Sequence, residues 1–326
     1  MTTNTKTSAG VSLPAVAWSD GTATIDAGGV YYRQLNQQVR PTLDKGAARI
    51  VLNNVCGQRY IGDGLRKPGV IEINGTPGND LAMFMDGPTV IVHANAQDGA
   101  GNTMTSGQIV IHGCAGDLLA HSLRGGSIFV RDSAGYRVAI HMKQYQEPVP
   151  SVVIGGCVGD YAGEYMAGGV LVILGLRSIG DSPQTAGTVP SSPQTAGTVP
   201  SSHQTAGTVP SSPQTAGTVP SSPQTAGTVP SSPQTAGMTM PPAITGHYLG
   251  TGMHGGVIYL RGDIRDEQMG REISRVPMDD ADRVRLGALV SSYAAHFNLS
   301  AQEILAAEFT KLAATSSRPY GRLYVY

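Results

Sequence analysis

The sequence predicts an all-β protein, a right-handed single-stranded parallel β-helix of about eight rungs with a short C-terminal helical segment. A glycine-rich motif recurs about every 19 to 20 residues, short apolar segments alternate with it, and helical periodicity begins only after residue 264. Such a period indicates stacked coils, because one copy alone cannot bury its apolar face. Right-handed winding is expected because crossovers between parallel strands take that hand.

Eight apolar segments supply the predicted strands: residues 50–53, 71–74, 90–93, 109–112, 128–131, 152–155, 171–174 and 258–261. Their first and third residues are all apolar, and these face the interior because side chains alternate along a strand. The second position, here called the outer row, comprises Val51, Glu72, Ile91, Val110, Phe129, Val153, Val172 and Tyr259. All but Glu72 are apolar or aromatic, so we expect the C-terminal helices or a partner protein to cover this row.

The glycine-rich motif predicts the corners of the coils. Its copies are Met85-Asp86-Gly87, Met104-Thr105-Ser106-Gly107, Leu123-Arg124-Gly125-Gly126, Met166-Ala167-Gly168-Gly169 and Met253-His254-Gly255-Gly256. Glycine permits the positive φ of sharp corners. We expect Met85, Met104, Met142, Met166 and Met253 to fill the core. Residues 250–255 match GxGxxG, but a strand follows them instead of a helix, so they too are interpreted as a corner.

The chain divides into five predicted parts: a flexible N-terminus (1–21), the first part of the β-helix (22–178), an insert (179–245), the last rung (246–264), and C-terminal helices with an extended tail (265–326). Within the insert, residues 182–237 repeat a Pro-, Gly-, Ser- and Thr-rich decapeptide. That composition is typical of a disordered loop.

Two C-terminal helices are predicted from apolar spacing and capping residues. The first covers 279–297, with Val284, Leu289, Val290, Tyr293 and Phe297 at helical spacing. The second opens at Ser300, which forms a capping box with Glu303. The aromatic tail after Arg318 is expected to be ordered and to pack on the rod or on a neighbour.

Composition narrows the function classes. The 326 residues carry a net charge of −1, so nothing favours nucleic acid as a partner. No segment resembles a signal peptide or a membrane helix. Three cysteines without a CxxC pair, Cys56, Cys114 and Cys157, favour a reducing compartment, and we expect a cytoplasmic protein.

The residues offer a scaffold and no active site: no catalytic, cofactor-binding or metal-binding residue is predicted. His93 and His112 occupy the outward fourth position of adjacent rungs, about 5 Å apart, without a third ligand in their column. Arg124, Lys143, Glu164 and His254 are interpreted as charged residues at matching corner positions. Those four form a candidate partner interface, although charge on a turn is equally compatible with simple solvation.

Seven blocks carry a resemblance to a known family: residues 57–62, 75–80, 101–104, 124–126, 136–143, 163–169 and 250–256. In this order they resemble the GXGXG-motif domain that ends the large subunit of glutamate synthase, above all the stand-alone subunit of split, archaeal-type enzymes. The resemblance covers about 22–178 and 246–326, including the Arg-Pro-Tyr-Gly-x-Leu-Tyr ending. The repeats and the first twenty residues lie outside it.

The resemblance implies a non-catalytic β-helix subunit of a complex that makes glutamate from glutamine and 2-oxoglutarate, within nitrogen metabolism. A glutamine amidotransferase subunit and an FMN-containing synthase subunit with iron–sulfur clusters would be its partners. The C subunit of formylmethanofuran dehydrogenase, or of its formyltransferase/hydrolase counterpart, is the alternative within the same class. The Arg59-Tyr60-Ile61-Gly62 and His141-Met142-Lys143 blocks favour glutamate synthase.

Two alternatives come from other classes. A free-standing β-helix enzyme acting on polysaccharide needs acidic side chains stacked on one face, and the outward fourth-position column holds no carboxylate. A self-assembling structural protein needs open solenoid ends, which a helical C-terminal segment and a polar N-terminal segment disfavour.

Overall fold

The computed structural model describes residues 13–145, 147–176 and 244–317. The first twelve residues, nearly all of the predicted insert and the aromatic tail from Arg318 lie outside this range. What was predicted for them stays a prediction.

One sheet of twelve strands runs through the described chain, in the order β1-β2-β3-β4-β5-β6-β7-β8-β9-β10-β12-β11. The strands are β1 (Val16–Ser19), β2 (Thr22–Asp26), β3 (Arg49–Cys56), β4 (Val70–Thr76), β5 (Asp86–Val92), β6 (Ser106–Ile111), β7 (Ser127–Val130), β8 (Ser151–Ile154), β9 (Ala167–Ile173), β10 (Gly255–Arg261), β11 (Ile273–Val276) and β12 (Phe309–Ala314). Three α-helices accompany them: α1 (Tyr32–Asp44), α2 (Asp280–Phe297) and α3 (Ala301–Leu305). A 3₁₀ turn spans Asp266–Gln268.

The predicted parallel β-solenoid is confirmed. Strands β3 to β10 are the eight predicted segments, and β2 adds a ninth parallel strand that was not predicted. Aligned residues such as Val70, Thr89, Gln108 and Ser127 follow one another at intervals of 19 residues. The solenoid has about six turns, slightly fewer than the predicted eight rungs. Six successive coils join β3 to β9, and the connection from β9 to β10 passes through residues outside the described range.

The core lies inside the coils, as the first and third strand positions predict. Ile71, Ile73, Val90 and Val92 are completely buried, and the same positions in the other predicted rungs are equally inaccessible. A second, shorter ladder of parallel bridges joins Ala96, Ala115, Ala134, Val158 and Thr245 on another side of the coil. These two ladders fix the register of successive coils.

Both ends of the parallel run are closed. At the first end, α1 buries Leu35, Val39 and Leu43 in the solenoid core, and β1 pairs antiparallel with β2. At the other end, β12 pairs antiparallel with β10, and Ile273 of β11 belongs to the same core. The sequence predicted neither α1 nor the three antiparallel strands. The segment predicted as a flexible N-terminus, residues 1–21, therefore contains the edge strand β1 and ends in the turn that follows it.

The outer row is covered along its second half by the C-terminal helices, as predicted. Val110, Phe129, Val153, Val172 and Tyr259 form one buried cluster with residues of α2 and α3. Val51, Glu72 and Ile91 in the first half are only partly buried.

Helix α2 follows its predicted bounds, with Asp279 as the N-cap. Its buried face differs from the prediction: Val284 is 74% exposed, whereas Leu286 is buried. The reason is that Asp282 is buried on the sheet side and sets the rotation of the helix. Ser300 caps α3 by accepting the backbone N–H of Glu303, as predicted.

Candidate functional site

The corners of the coils form one continuous surface. We call it the turn face and define it as residues 80–87, 99–107, 118–126, 137–145, 161–169 and 248–256. Each corner has three alternate residues in the left-handed conformation, for example Arg137, Ala139 and His141, with φ of 57°, 59° and 56°. A non-glycine residue in that conformation costs roughly 1–2 kcal/mol. A ladder of backbone hydrogen bonds offsets the cost, as where Ala139 N donates to Leu119 O at 2.8 Å.

Methionine side chains fill the solenoid directly beneath the turn face. Met85, Met104, Met142, Met166 and Met253 are all 0% exposed, which confirms their predicted place in the core. Residues 250–255 form the corner before β10, as predicted, with Gly250 and Gly252 at φ of 68° and 69°. The residue after each of these methionines lies on the turn face.

Three of the four predicted interface residues share one column of the turn face. Arg124 N donates to Met104 O, Lys143 N to Leu123 O and His254 N to Met166 O, at 2.9, 3.0 and 2.9 Å. All three residues are exposed. Repeated backbone bonding therefore places Arg124 and Lys143 on adjacent coils of one column, with His254 two coils after Lys143.

Glu164 does not belong to this column, which corrects its predicted position. The equivalent place in its coil is held by Ala167, whose N–H bonds to Met142 O at 2.8 Å. Glu164 lies three residues earlier and is only 7% exposed. Its Oε2 lies 3.5 Å from Arg137 Nε and accepts no hydrogen bond among the described residues. Glu164 is thus an internal partner of Arg137.

Tyr145 links the two strongest charges of the column. Lys143 Nζ lies 4.7 Å from the centre of its ring, and Arg124 Cζ lies 5.6 Å from it. Both distances are in the range of a cation–π contact. The Tyr145 side chain is nevertheless 60% exposed, so the cluster is open to solvent.

Two further pairs of rings extend the turn face. His141 stacks on Tyr165 at 5.2 Å, and Tyr161 stacks on Tyr248 at 4.9 Å. Arg137 Cζ lies 5.3 Å from the centre of the Tyr161 ring. Sequence reasoning missed these aromatic residues, although Tyr165 and His141 each precede a buried methionine and so repeat with the coil.

The two histidines of the outward column lie next to each other, as predicted. A carboxylate, Glu72, contacts one of them, His93. The His93 and His112 rings are 5.2 Å apart. Glu72 Oε1 lies 2.7 Å from His93 Nε2, and the same carboxylate pairs with Arg49. Burial alone would raise the pKa of Glu72, but its hydrogen bonds to His93 and Arg49 lower it. Glu72 is in the outer row of the preceding rung, at the second strand position, so it does not belong to the outward fourth-position column.

A groove of about 800 Å³ lies where α2 and α3 meet the ends of the strands. Arg131, Arg261, Tyr293, Phe297 and Glu303 are among its lining residues. Its described lining holds no histidine or cysteine. Within the three described ranges, no three His, Cys, Asp or Glu side chains cluster closely enough to hold a metal ion.

The described part of the chain therefore presents a stack of coils with an exposed aromatic and cationic face. No helix in that part combines the length and apolar composition needed to cross a bilayer. These features define a parallel β-solenoid protein whose corners repeat a glycine-rich motif.

Comparison with known proteins gives the family. A family model described as the GXGXG motif matches residues 35–187. A protein of Methanocaldococcus jannaschii, described as uncharacterized, is 38% identical over 306 residues, covering 92% of this chain and 95% of that protein. The chain therefore belongs to the GXGXG family, the glutamate synthase-type domain, which confirms the resemblance.

Proposed function

We propose that this chain is the non-catalytic structural subunit of a glutamate synthase-type complex. The complex makes glutamate from glutamine and 2-oxoglutarate. A glutamine amidotransferase subunit releases ammonia, and a synthase subunit carrying FMN and iron–sulfur clusters uses it. This chain holds the two in register, and the assembly works in the cytoplasm.

One observation carries the proposal: a GXGXG-family solenoid exposes a ladder of charged and aromatic side chains along one side. Tyr and Arg side chains are typical of the energetic centres of protein interfaces. Arg124, Tyr145 and Tyr248 supply such groups on the turn face. Lys143 and His254 lie in the same column as Arg124. Glu164 acts in this surface through Arg137, because its own carboxylate is buried.

Reconstitution tests the proposal. The amidotransferase and synthase subunits encoded in the same genome are expressed with and without this chain, and the complexes are sized by light scattering. We expect one complex that needs this chain to form and that converts glutamine and 2-oxoglutarate to glutamate. The isolated chain should turn over neither compound.

Two results would contradict the proposal. One is steady conversion of a metabolite by the isolated chain. The other is full glutamate synthesis by the remaining subunits when the chain is absent. Stable association with formyltransferase or molybdopterin-type subunits instead would move the chain to the formylmethanofuran dehydrogenase type.

A further inference from the structure

We propose that the second half of the turn face binds an acidic segment of a partner protein. This half comprises residues 118–126, 137–145, 161–169 and 248–256. The inference rests on the proposed function, since the segment belongs to one of the partner subunits. The inference adds to the proposed function the chemical character of the partner segment that contacts this surface.

Exposed apolar surface is concentrated on this side of the rod. Ten large hydrophobic residues of the described chain are exposed, and five of them lie on the turn face or directly beside it: Phe84, Leu118, Tyr136, Tyr145 and Tyr248. Tyr136, Tyr145 and Tyr248 are each more than half exposed. Exposed apolar groups gathered on one side of a protein indicate an interaction site.

The charge of this half is positive. Its four ranges contain three Lys and Arg residues, Arg124, Arg137 and Lys143, against a single acidic residue, Glu164. Glu164 pairs with Arg137, which leaves Arg124 and Lys143 as the cations of this half that carry the charge. No carboxylate lies within ion-pair distance of Arg124 or Lys143 in the described chain.

Two acidic residues next to this half accept hydrogen bonds from the backbone. Asp117 accepts the backbone N–H of Tyr136 at 2.8 Å, and Asp160 accepts that of His247 at 2.7 Å. These carboxylates fix the corners, so Arg124 and Lys143 keep their charge available. A carboxylate-rich partner complements that field and gives the contact its orientation.

A protein fits this face better than a nucleic acid does. The chain as a whole carries a net charge of −1. Arg124 and Lys143 share one tyrosine ring, and Arg137 pairs with Glu164. A nucleic-acid groove instead needs a long basic track along the backbone. The tyrosines beside the cations suit a protein contact of mixed apolar and charged character.

The test measures the affinity of this chain for the recombinant amidotransferase and synthase subunits at low and high salt. The test variant is Arg124→Glu/Lys143→Glu. The matched control is Lys45→Glu/Arg283→Glu, which reverses one exposed charge directly after α1 and one on α2. We expect the test variant to bind one subunit at least about tenfold more weakly and to lose most of the salt dependence. The control and the conservative variant Arg124→Lys/Lys143→Arg should bind like the wild type.

A peptide arm separates this inference from the proposed function. If the wild-type chain binds neither subunit, the proposed complex is wrong, and a labelled polyglutamate peptide then decides the inference by itself. The wild type should bind polyglutamate more tightly than polyglutamine, and the test variant should lose that preference. Thermal unfolding checks that the variants are folded.

Three outcomes would overturn the inference. If the test variant binds within about twofold of the wild-type affinity, Arg124 and Lys143 do not contribute to binding. Equal binding of polyglutamate and polyglutamine would remove acidic recognition. Tighter binding of a single-stranded oligonucleotide than of polyglutamate would assign the face to nucleic acid.

Discussion

Gly155 lies where helix α2 reaches the backbone of the sheet. The Tyr293 hydroxyl donates a hydrogen bond to Arg131 O at 2.8 Å, directly above Gly155. A Cβ on Gly155 would lie 1.9 Å from that hydroxyl and 2.0 Å from the carbonyl. The outward column therefore changes from polar side chains to glycine at this rung because a tyrosine occupies the space.

Replacing Gly155 with alanine should separate α2 from the sheet at this point. We expect Gly155→Ala to lower the free energy of unfolding by about 1–3 kcal/mol, because the added methyl overpacks a closed contact. Chemical denaturation measures the effect. Gly287→Ala, within helix α2, is the matched control. Nothing lies within 4 Å of the Cβ that this substitution would add. The control should raise stability by up to about 1 kcal/mol, and equal effects of the two changes would contradict the prediction.

The predicted site residues show what one sequence can and cannot place. Arg124, Lys143 and His254 each follow a buried Leu or Met by one residue, so the repeat itself puts them in register. Glu164 precedes Met166 by two residues and points to a different part of the corner. Tyr145 lies in the connection between β7 and β8, which is longer than the corresponding connections of the preceding coils. The repeat therefore could not predict the position of its side chain.

At the scale of elements, α2 shows how a buried polar residue changes a helix face. Asp282, Leu286, Val290 and Tyr293 form its buried stripe. Tyr259 of β10 donates to Asp282 Oδ1 at 2.6 Å, and Lys311 of β12 donates to Oδ2 at 2.5 Å. The apolar pattern alone predicted Val284 on this face, because it gave no sign that a carboxylate would be buried there.

Two substitutions in α2 test the corrected face. Leu286→Ala should lower the free energy of unfolding by about 2–4 kcal/mol, because it removes most of a buried side chain and leaves a cavity beneath the helix. Val284→Ala should leave stability within about 0.5 kcal/mol of wild type, since its side chain is solvated. Urea titrations of both variants measure the two losses of stability. A larger loss for Val284→Ala than for Leu286→Ala would support the buried face that the sequence predicted.

The Asp282 network makes the docking of α2 sensitive to acid. Burial alone would raise the pKa of Asp282, but hydrogen bonds from Lys311, Tyr259 and the backbone N–H of Asp279 lower it to about 2. A carboxyl whose folded pKa is depressed stabilises the fold above its unfolded pKa of about 3.9, and this contribution is lost as pH falls toward about 2. The contribution is on the order of 2 kcal/mol.

Comparison with Asp282→Asn isolates this contribution. The variant should be less stable than wild type near neutral pH, and the difference in unfolding free energy should narrow by about 2 kcal/mol between about pH 5 and about pH 2. Denaturant titrations at several pH values measure the difference. A gap that stays constant over this range would show that Asp282 is not the titrating group.

The eight regular strands could be predicted because interior positions repeat in every coil. Helix α1 was missed although Leu35, Val39 and Leu43 are spaced four residues apart, the interval of a helix face. Strand β12 could not be predicted in the same way. It lies about 50 residues after β10 in the sequence and pairs with it antiparallel. It is therefore not part of the repeat from which the parallel strands were predicted.

At the scale of the whole molecule, the two chain segments that flank residues 177–243 meet at the rod. A Cβ on Gly175 would lie 2.4 Å from Ile244 Cγ2, and Thr245 continues the bridge ladder from Val158. A very short connection is therefore enough to join β9 to the coil that leads into β10.

Replacing residues 177–243 with a short glycine-rich linker should leave the fold intact. We expect the free energy of unfolding to stay the same or to rise by up to about 2 kcal/mol, because closing a loop costs about 0.6 kcal/mol per doubling of its length. Calorimetry and denaturation measure the change. Deleting Gly169 alone is the contrast: it would slip β9 by one residue and invert its faces, which should prevent folding. A large loss of stability in the linker variant would contradict the prediction.

Nineteen-residue spacing between equivalent strand positions gives the protein an adjustable length. A duplicated coil placed between β5 and β6 would pair with both neighbours and leave the closed ends untouched. Each such addition would move two bodies bound at opposite ends apart by about 4.8 Å. Duplication of a coil can therefore set the distance between two bodies bound at opposite ends of the solenoid, in steps of one strand spacing.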